Sequence, residues 1–239
     1  MKTNNCAMAL HKDAKVTAVV PVRKGSQRVK DKNIRPFGNL TLLENKINTL
    51  LLVPELDAII INTDSDVAID LVKSRYHNTK VSIQRREPYY ASSACSGSDF
   101  FKHLGEVTET DIFVYAPCTS PFVSVETISA CINVFKQKAR NGECDCVSTV
   151  SPVKEFLWLN GEAINYNPHN APNSQNLPDI VALNFGATVI SRTDLIKNKN
   201  IIGSTPYFIT IDDIEGIDID TQLDFAFAEF IYRKMYNCG

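Results

Sequence analysis

The chain lacks a charge excess of either sign: 25 Lys and Arg stand against 27 Asp and Glu over 239 residues, a formal net charge of −2. No global field draws it to nucleic acid, so any anionic ligand must be met by local cations. It also lacks a run of 18 or more apolar residues, and after a short apolar stretch at 6–10 the amino-terminal segment returns to Lys and Asp. The expectation is a chain with neither membrane span nor signal peptide. The seven cysteines are odd in number and form no CxxC pair, which fits a reduced, cytoplasmic protein. Cys144 and Cys146 have no matching Cys or His pair nearby, so zinc is not expected there. With only 10 Gly, the chain spells neither a three-glycine dinucleotide fingerprint nor a Walker A loop.

What it does have is rhythm. Short apolar, β-branched runs recur at 16–22, 58–62, 80–84, 112–116, 146–150, 188–191 and 207–211. They are hydrophobic at consecutive positions, as strands covered on both faces are. Amphipathic stretches at 42–52, 66–76, 98–107, 125–138 and 221–236 lie between or after them. The alternation predicts an α/β domain over 16–239, a three-layer, mostly parallel twisted sheet with helices on both faces, preceded by an extension over 1–15. From 152 to 183 the rhythm breaks: Pro152, Pro168, Pro172, Pro178, many Asn and the one Trp make a poor recipe for a long helix or central strand. This segment reads as an insertion carrying substrate or dimer contacts, or equally as a long surface loop.

Two segments carry chemistry. The first strand runs into residues 23–33, which hold five cations (Arg23, Lys24, Arg28, Lys30, Lys32), Gly25 and Ser26. In a parallel sheet this loop sits at the carboxyl end of its strand, where open α/β sheets bind ligands. Phosphate oxygens want such a mixture: N–H groups freed by Gly, a Ser hydroxyl, Arg forks and Lys point charges. A solvated basic turn is the other reading of the same residues. Near the opposite end, residues 212–220 carry Asp212, Asp213, Glu215, Asp218 and Asp220. Asp218 and Asp220, two apart, share a face if the backbone is extended, which suits a hard divalent cation. The alternative is an acidic turn that caps the last helix.

The run Val19-Val20-Pro21-Val22-Arg23-Lys24-Gly25-Ser26-Gln27-Arg28, continuing to Lys32-Asn33, resembles the signature of the acylneuraminate cytidylyltransferases, the synthetases of CMP-sialic acid and of related legionaminic, pseudaminic and Kdo-type sugars. Further likenesses follow in order: Asn62-Thr63-Asp64, Arg86-Glu87-Pro88, Thr119-Ser120-Pro121, Asn184-Phe185-Gly186-Ala187 and Asp218-Ile219-Asp220 with Asp224 and Glu229. The resemblance implies a Rossmann-like nucleotide-diphospho-sugar transferase fold with a dimerisation or substrate insertion at 152–183. It implies transfer of CMP from CTP to the anomeric hydroxyl of an α-keto acid sugar, releasing pyrophosphate, in a homodimer. Arg23, Gly25, Ser26, Lys32 and Asn33 then lie on the phosphates and ribose, and Arg86, Ala91 and Ser92 border the cytosine. Gln175 and Asn184 fall on the sugar side, while Asp218 and Asp220 hold Mg²⁺. Lys32, Arg23 and Asp220 are the catalytic set, and no general base is assigned.

Departures from the family pattern concern the sugar more than the reaction. The run Tyr115-Ala116-Pro117-Cys118 replaces the Gln that many sialic acid members carry before P-T-S-P. Ser26-Gln27-Arg28 stands for Ser-Lys-Gly, and Asn62 stands for Ser. Both a nonulosonic acid and a Kdo-type octulosonate remain as substrate, and a nucleotide-binding module without turnover remains as a reading of another class.

Overall fold

Residues 13–26 and 28–236 are described in a computed structural model of the chain. The extension expected over 1–15 therefore lies, up to position 12, outside the described residues. β1 (Val16–Val22) is followed by the two-residue strands β2 (Pro36–Phe37) and β3 (Leu40–Thr41), α1 (Leu42–Leu51), β4 (Ala58–Thr63), α2 (Asp66–Arg75) and β5 (Val81–Arg85). Then come α3 (Pro88–Ala91), α4 (Gly97–Val107), β6 (Ile112–Tyr115), α5 (Val125–Arg140), β7 (Cys146–Val153) and the hairpin of β8 (Trp158–Leu159) and β9 (Glu162–Ala163). β10 (Ile180–Ser191), α6 (Arg192–Asn198), β11 (Pro206–Thr210) and α7 (Gln222–Met235) complete the described chain.

Seven strands form one sheet in the order β11-β7-β10-β6-β1-β4-β5. Only β10 runs against the rest, pairing antiparallel with both β6 and β7. Successive residues of β1 serve opposite faces. Ala18, Val20 and Val22 join the large core with residues of α1, α2, α5 and α7, whereas Val19 packs with Leu104 of α4 and Leu195 of α6. Helices cover both faces, which is why the strands read as unbroken apolar runs. Six of the seven helices carry a Ser or Thr N-cap whose hydroxyl accepts a backbone N–H, with capping boxes at Thr41 and Thr221. Each such cap stabilises its helix by about 1 kcal/mol.

The segment around 152–183 is more ordered in its pairing than its prolines suggest. β7 runs on through Pro152 to Val153 and pairs with the start of β10, Ile180 opposite Val153 and Val181 opposite Pro152. Pairing of β7 with β11 ends at Val150, so Pro152 lies past the stretch where β7 has strands on both sides. A proline is tolerated at such an edge because the ladder there asks less of its missing N–H. Asn160 and Gly161, both at positive φ (51° and 86°), turn β8 into β9. That is the geometry of a type I′ hairpin, which an Asn-Gly pair favours.

One element of the core reaches toward the carboxyl edge of the sheet. From α1, the Asn45 amide donates to the Pro121 carbonyl at 2.8 Å and the Lys46 ammonium donates to the Ser120 carbonyl at 2.7 Å. Together they fasten the turn that follows β6. Lys46 has no exposed surface, and burial pulls its pKa from 10.5 down to about 8, against the opposing pull of Cys118 and Glu215. Its folded value lies below the unfolded one, so the charged form carries a desolvation penalty that is complete below pH 8 and gone above 10.5. The unfolding free energy of the wild type, relative to a Lys46→Met variant, is expected to rise by on the order of 3 kcal/mol as pH increases across that window. Denaturant titrations of both proteins at several pH values measure it; a constant difference would contradict the buried charge.

Candidate active site

The carboxyl ends of β1 and β6 and the start of α4 enclose a cleft of about 320 Å³. Its lining includes Arg23 and Asn33 from the loop after β1, Arg86 after β5, Tyr90 and Ser92 near α3, Gly97 at the α4 amino terminus, and Tyr115 and Thr119 around β6. The basic loop leaves β1 under restraint. The Lys24 N–H donates to Asp64 Oδ1 at 2.7 Å just beyond β4, and Gly25 turns the chain at φ +70°. Backbone bonds from Lys32 to Val29 and from Ile34 to Asp31 then wind the loop back beneath the cleft.

There it meets the far end of the chain. Lys32 Nζ donates to the Ile219 carbonyl and stands 3.9 Å from the Asp220 carboxylate. Arg28 forks onto the same carboxylate, Nη1 to Oδ2 at 3.0 Å and Nη2 to Oδ1 at 2.9 Å. The fork is largely solvent-exposed, so by itself it contributes no more than about 1 kcal/mol to the fold. Residue 219 is in turn held by the cleft wall, since the Ile219 N–H donates to the Thr119 carbonyl at 2.8 Å. The cation-rich loop and the acidic segment thus close on one another beside the cleft, as the residue types suggest.

Electrostatics follow from burial and from this crowding. Burial pulls the Lys32 ammonium below its ordinary value, with Asp220 and Asp218 opposing. Burial pushes the Asp218 carboxyl up; hydrogen bonding by Thr119 opposes, and the charge of Asp220 adds to the rise. The Cys118 thiol is pushed to about 12 by burial, so it is a neutral wall group and no thiolate nucleophile. Arg86 is 5% exposed, and burial lowers its pKa only to about 10, so it is a fixed cation at neutral pH.

The donor set at 218–220 suits a hard cation that takes one or two carboxylates and completes its shell with water and phosphate oxygens. Two neighbouring acids, one of them partly buried and raised by the other, are a place where added positive charge is favourable. Among the described residues no group of three or more His, Cys, Asp or Glu gathers to hold a metal. A divalent ion held here would take its remaining ligands from water and phosphate oxygens.

The residues singled out in the sequence divide in two. Arg23, Asn33, Arg86 and Ser92 line the cleft, and Lys32, Asp218 and Asp220 gather beside it. Gly25 and Ser26 belong to the loop leaving β1, and Ala91 closes α3; none of the three is among the lining residues. Gln175 sits exposed in a short 3₁₀ turn over Ser174–Asn176. The Asn184 amide is taken up by the fold: its oxygen accepts from Thr149 Oγ1 at 2.6 Å and from the Gly186 N–H at 3.2 Å, and its nitrogen donates to Ser151 Oγ at 2.9 Å. It braces the irregularity where the pairing of β10 with β7 shifts between Leu183 and Thr188. Tyr90, Phe100 and Tyr115 line the cleft without any spacing in the sequence to announce them. For Tyr115 one signal was available, its position just ahead of the Thr119-Ser120-Pro121 turn.

Known proteins share both the sequence pattern and the fold. The sequence model of the family described as Cytidylyltransferase matches residues 17–171. The chain is 21% identical to a protein of Campylobacter coli named post-translational flagellin modification protein B, over 92% of this chain and 96% of that one. It is 25% identical to CMP-N,N'-diacetyllegionaminic acid synthase of Legionella pneumophila, over 90% of this chain and 95% of the relative. Among solved structures, CMP:2-keto-3-deoxy-manno-octonic acid synthetase complexed with CTP superposes with a TM-score of 0.66 at 13% identity, covering 93% of this chain and all of that one (100%).

Proposed function

The chain belongs to the cytidylyltransferase family, and on that premise we propose that it transfers CMP from CTP to the anomeric hydroxyl of an α-keto acid sugar of the nonulosonic type, releasing pyrophosphate. The observation that carries this reading is the meeting of the basic loop with the 218–220 segment at the rim of the cleft. Arg23, Lys32 and the loop N–H groups meet the triphosphate, and the part of the cleft lined by Arg86 takes the base. The sugar's anomeric oxygen attacks the α-phosphorus; the new O–P bond forms as the bond to the bridging oxygen breaks, and its electron pair leaves on pyrophosphate. The hydroxyl proton passes to solvent. Lys32, part-buried and at the rim, neutralises charge on the departing oxygens, and its place in a water-poor setting makes that contribution large. Asp218 and Asp220 would hold Mg²⁺, which when bound neutralises phosphate charge and makes the attacking hydroxyl more acidic.

The choice of a nonulosonic acid is supported by the legionaminic relative, matched over most of its length. We further propose a homodimer built on the 152–183 segment, where Phe156, Trp158, Leu159 and Ile164 remain exposed although Tyr166 packs beside the first two. A cytoplasmic setting accords with the five described cysteines, all free. Among the described residues no helix is long and apolar enough to cross a membrane.

The deciding experiment is pyrophosphate release with CTP, Mg²⁺ and a panel of sialic, legionaminic, pseudaminic and Kdo acids. Release is expected with a nine-carbon acid, lost on chelation with EDTA and restored by added magnesium; silence across the panel would refute the proposed reaction. Lys32→Ala is expected to raise the barrier by roughly 2–4 kcal/mol, about thirty- to a thousandfold in rate, and an unchanged rate would remove its assigned role. Sedimentation velocity at micromolar protein is expected to give a dimer that Trp158→Asp weakens, and a wild-type monomer would exclude the proposed interface.

A further inference from the structure

Arg86 is the most deeply buried cation of the cleft wall, and the way it is held is unusual for a charge that must act on a ligand. Its backbone N–H donates to the Thr63 carbonyl at 2.8 Å, which joins the end of β5 to the end of β4. Its guanidinium lies with Cζ 4.5 Å from the centre of the Phe100 ring in α4. One edge is fully committed to a single residue: Nε donates to Asn62 Oδ1 at 2.6 Å and Nη2 to the Asn62 carbonyl at 2.9 Å. Nη1 has no hydrogen-bond partner among the described residues, and Arg86 lines the cleft.

Asn62 is not free to choose which end of its amide faces Arg86. It pairs with Gln84 across β4 and β5, and its amide nitrogen donates to Gln84 Oε1 at 2.8 Å. The Gln84 nitrogen donates in turn to the carbonyl of Val107, the last residue of α4, at 2.6 Å. That carbonyl can only accept, so the Gln84 amide must present its nitrogen to it and its oxygen to Asn62. The Asn62 amide must then present its nitrogen to Gln84, which turns its oxygen to Arg86. A one-way relay runs from the end of α4 through two strands to the guanidinium, while Phe100, nearer the start of the same helix, covers the guanidinium face. Helix α4 therefore grips Arg86 at two places. Asn62, fully buried, is the joint between them.

We propose that Asn62 is a positioning residue for nucleotide binding: through the Gln84–Val107 relay it locks the Arg86 guanidinium in one orientation, so that its uncommitted N–H groups face acceptor atoms of the nucleotide. This rests on the reading of the cleft as a CTP site. It also gives a physical role to the residue that departs from the Ser of the family pattern, a side chain too short to offer both an acceptor to Arg86 and a donor to Gln84.

Three single variants and one double variant test it. Asn62→Ser breaks the relay, Asn62→Asp keeps the acceptor for Arg86 while losing the donor to Gln84, and Arg86→Ala removes the group being positioned. Asn62→Ser is expected to raise KM for CTP on the order of tenfold, the scale for losing a hydrogen bond to a charged group, with kcat changed much less. Asn62→Asp is expected to stay near the wild-type KM. The double variant Asn62→Ser, Arg86→Ala is expected to be no worse than Arg86→Ala alone. An unchanged KM in Asn62→Ser, an Asn62→Asp variant that loses as much as Ser, or fully additive losses in the double variant would each overturn the proposal. If Asn62→Ser fails to fold, Asn62→Asp decides alone: it must fold and hold its KM. The arrangement is also readable without substrate. A slowly exchanging arginine Nε–H resonance in the nitrogen-15 spectrum of the free protein is expected to vanish in Arg86→Ala and to persist in Asn62→Asp; its absence from the wild type overturns the proposed lock. A wild type that shows the resonance but binds no CTP would instead sink the reading of the cleft, so the two failures are told apart.

Discussion

Lys32 reaches across 187 positions of chain to the backbone of residue 219, and the site depends on that contact. Without it, the loop after β1 is a basic turn in water and the 212–220 segment is an acidic turn ahead of α7. With it, Arg28 and Lys32 meet Asp220 beside a cleft lined by Arg23. The contact is itself held from two sides. Thr119 anchors Ile219, and Lys46 and Asn45 fasten the turn that carries Thr119 to α1. A polar backbone group, a buried ammonium and a part-buried lysine thus form a stack from the core to the cleft rim. This explains why a protein of nearly neutral overall charge can meet a highly charged ligand: the field is local and is assembled by packing.

Much of the fold was legible because its causes are local. The runs at 16–22 and 58–62 appear as β1 and β4 almost residue for residue, since strands covered on both faces must be apolar at every position. The helices declare themselves through Ser and Thr caps. What sequence could not tell was direction: nothing in Thr188–Ser191 marks β10 as the one strand that runs against its neighbours, because an antiparallel strand buried on both sides has the same composition. Of the prolines of 152–183 only Pro152 lies in a strand, where it costs little because the second neighbour of β7 has ended.

The site divides along the same line. Arg23 and Asn33 line the cleft and Asp218 stands beside it; each is a polar motif residue whose chemical type is legible without the fold. Asn184 was read for the sugar because it is polar in a motif, yet its amide is consumed within the sheet, where Thr149, Ser151 and Gly186 satisfy it. Phe100 and Tyr115 were missed because an aromatic in an apolar run looks like core until the fold shows it at the edge of a cleft. Arg86 lines the cleft, but its burial and its partners depend on the registration of β4 with β5 and on the packing of α4. Those are facts about three separate elements.

The order of the strands has a bearing on biosynthesis. By the time residue 115 has left the ribosome, β5, β4, β1 and β6 can already lie side by side, and the arginines and lysines after β1 can already be displayed. The partner carboxylates arrive more than a hundred residues later, after β10 has been threaded between β6 and β7. Contacts of such long range are formed late and at high entropic cost. Until residues 212–220 are made, a nascent chain therefore carries the cationic bend without the carboxylate that Arg28 and Lys32 face in the folded protein.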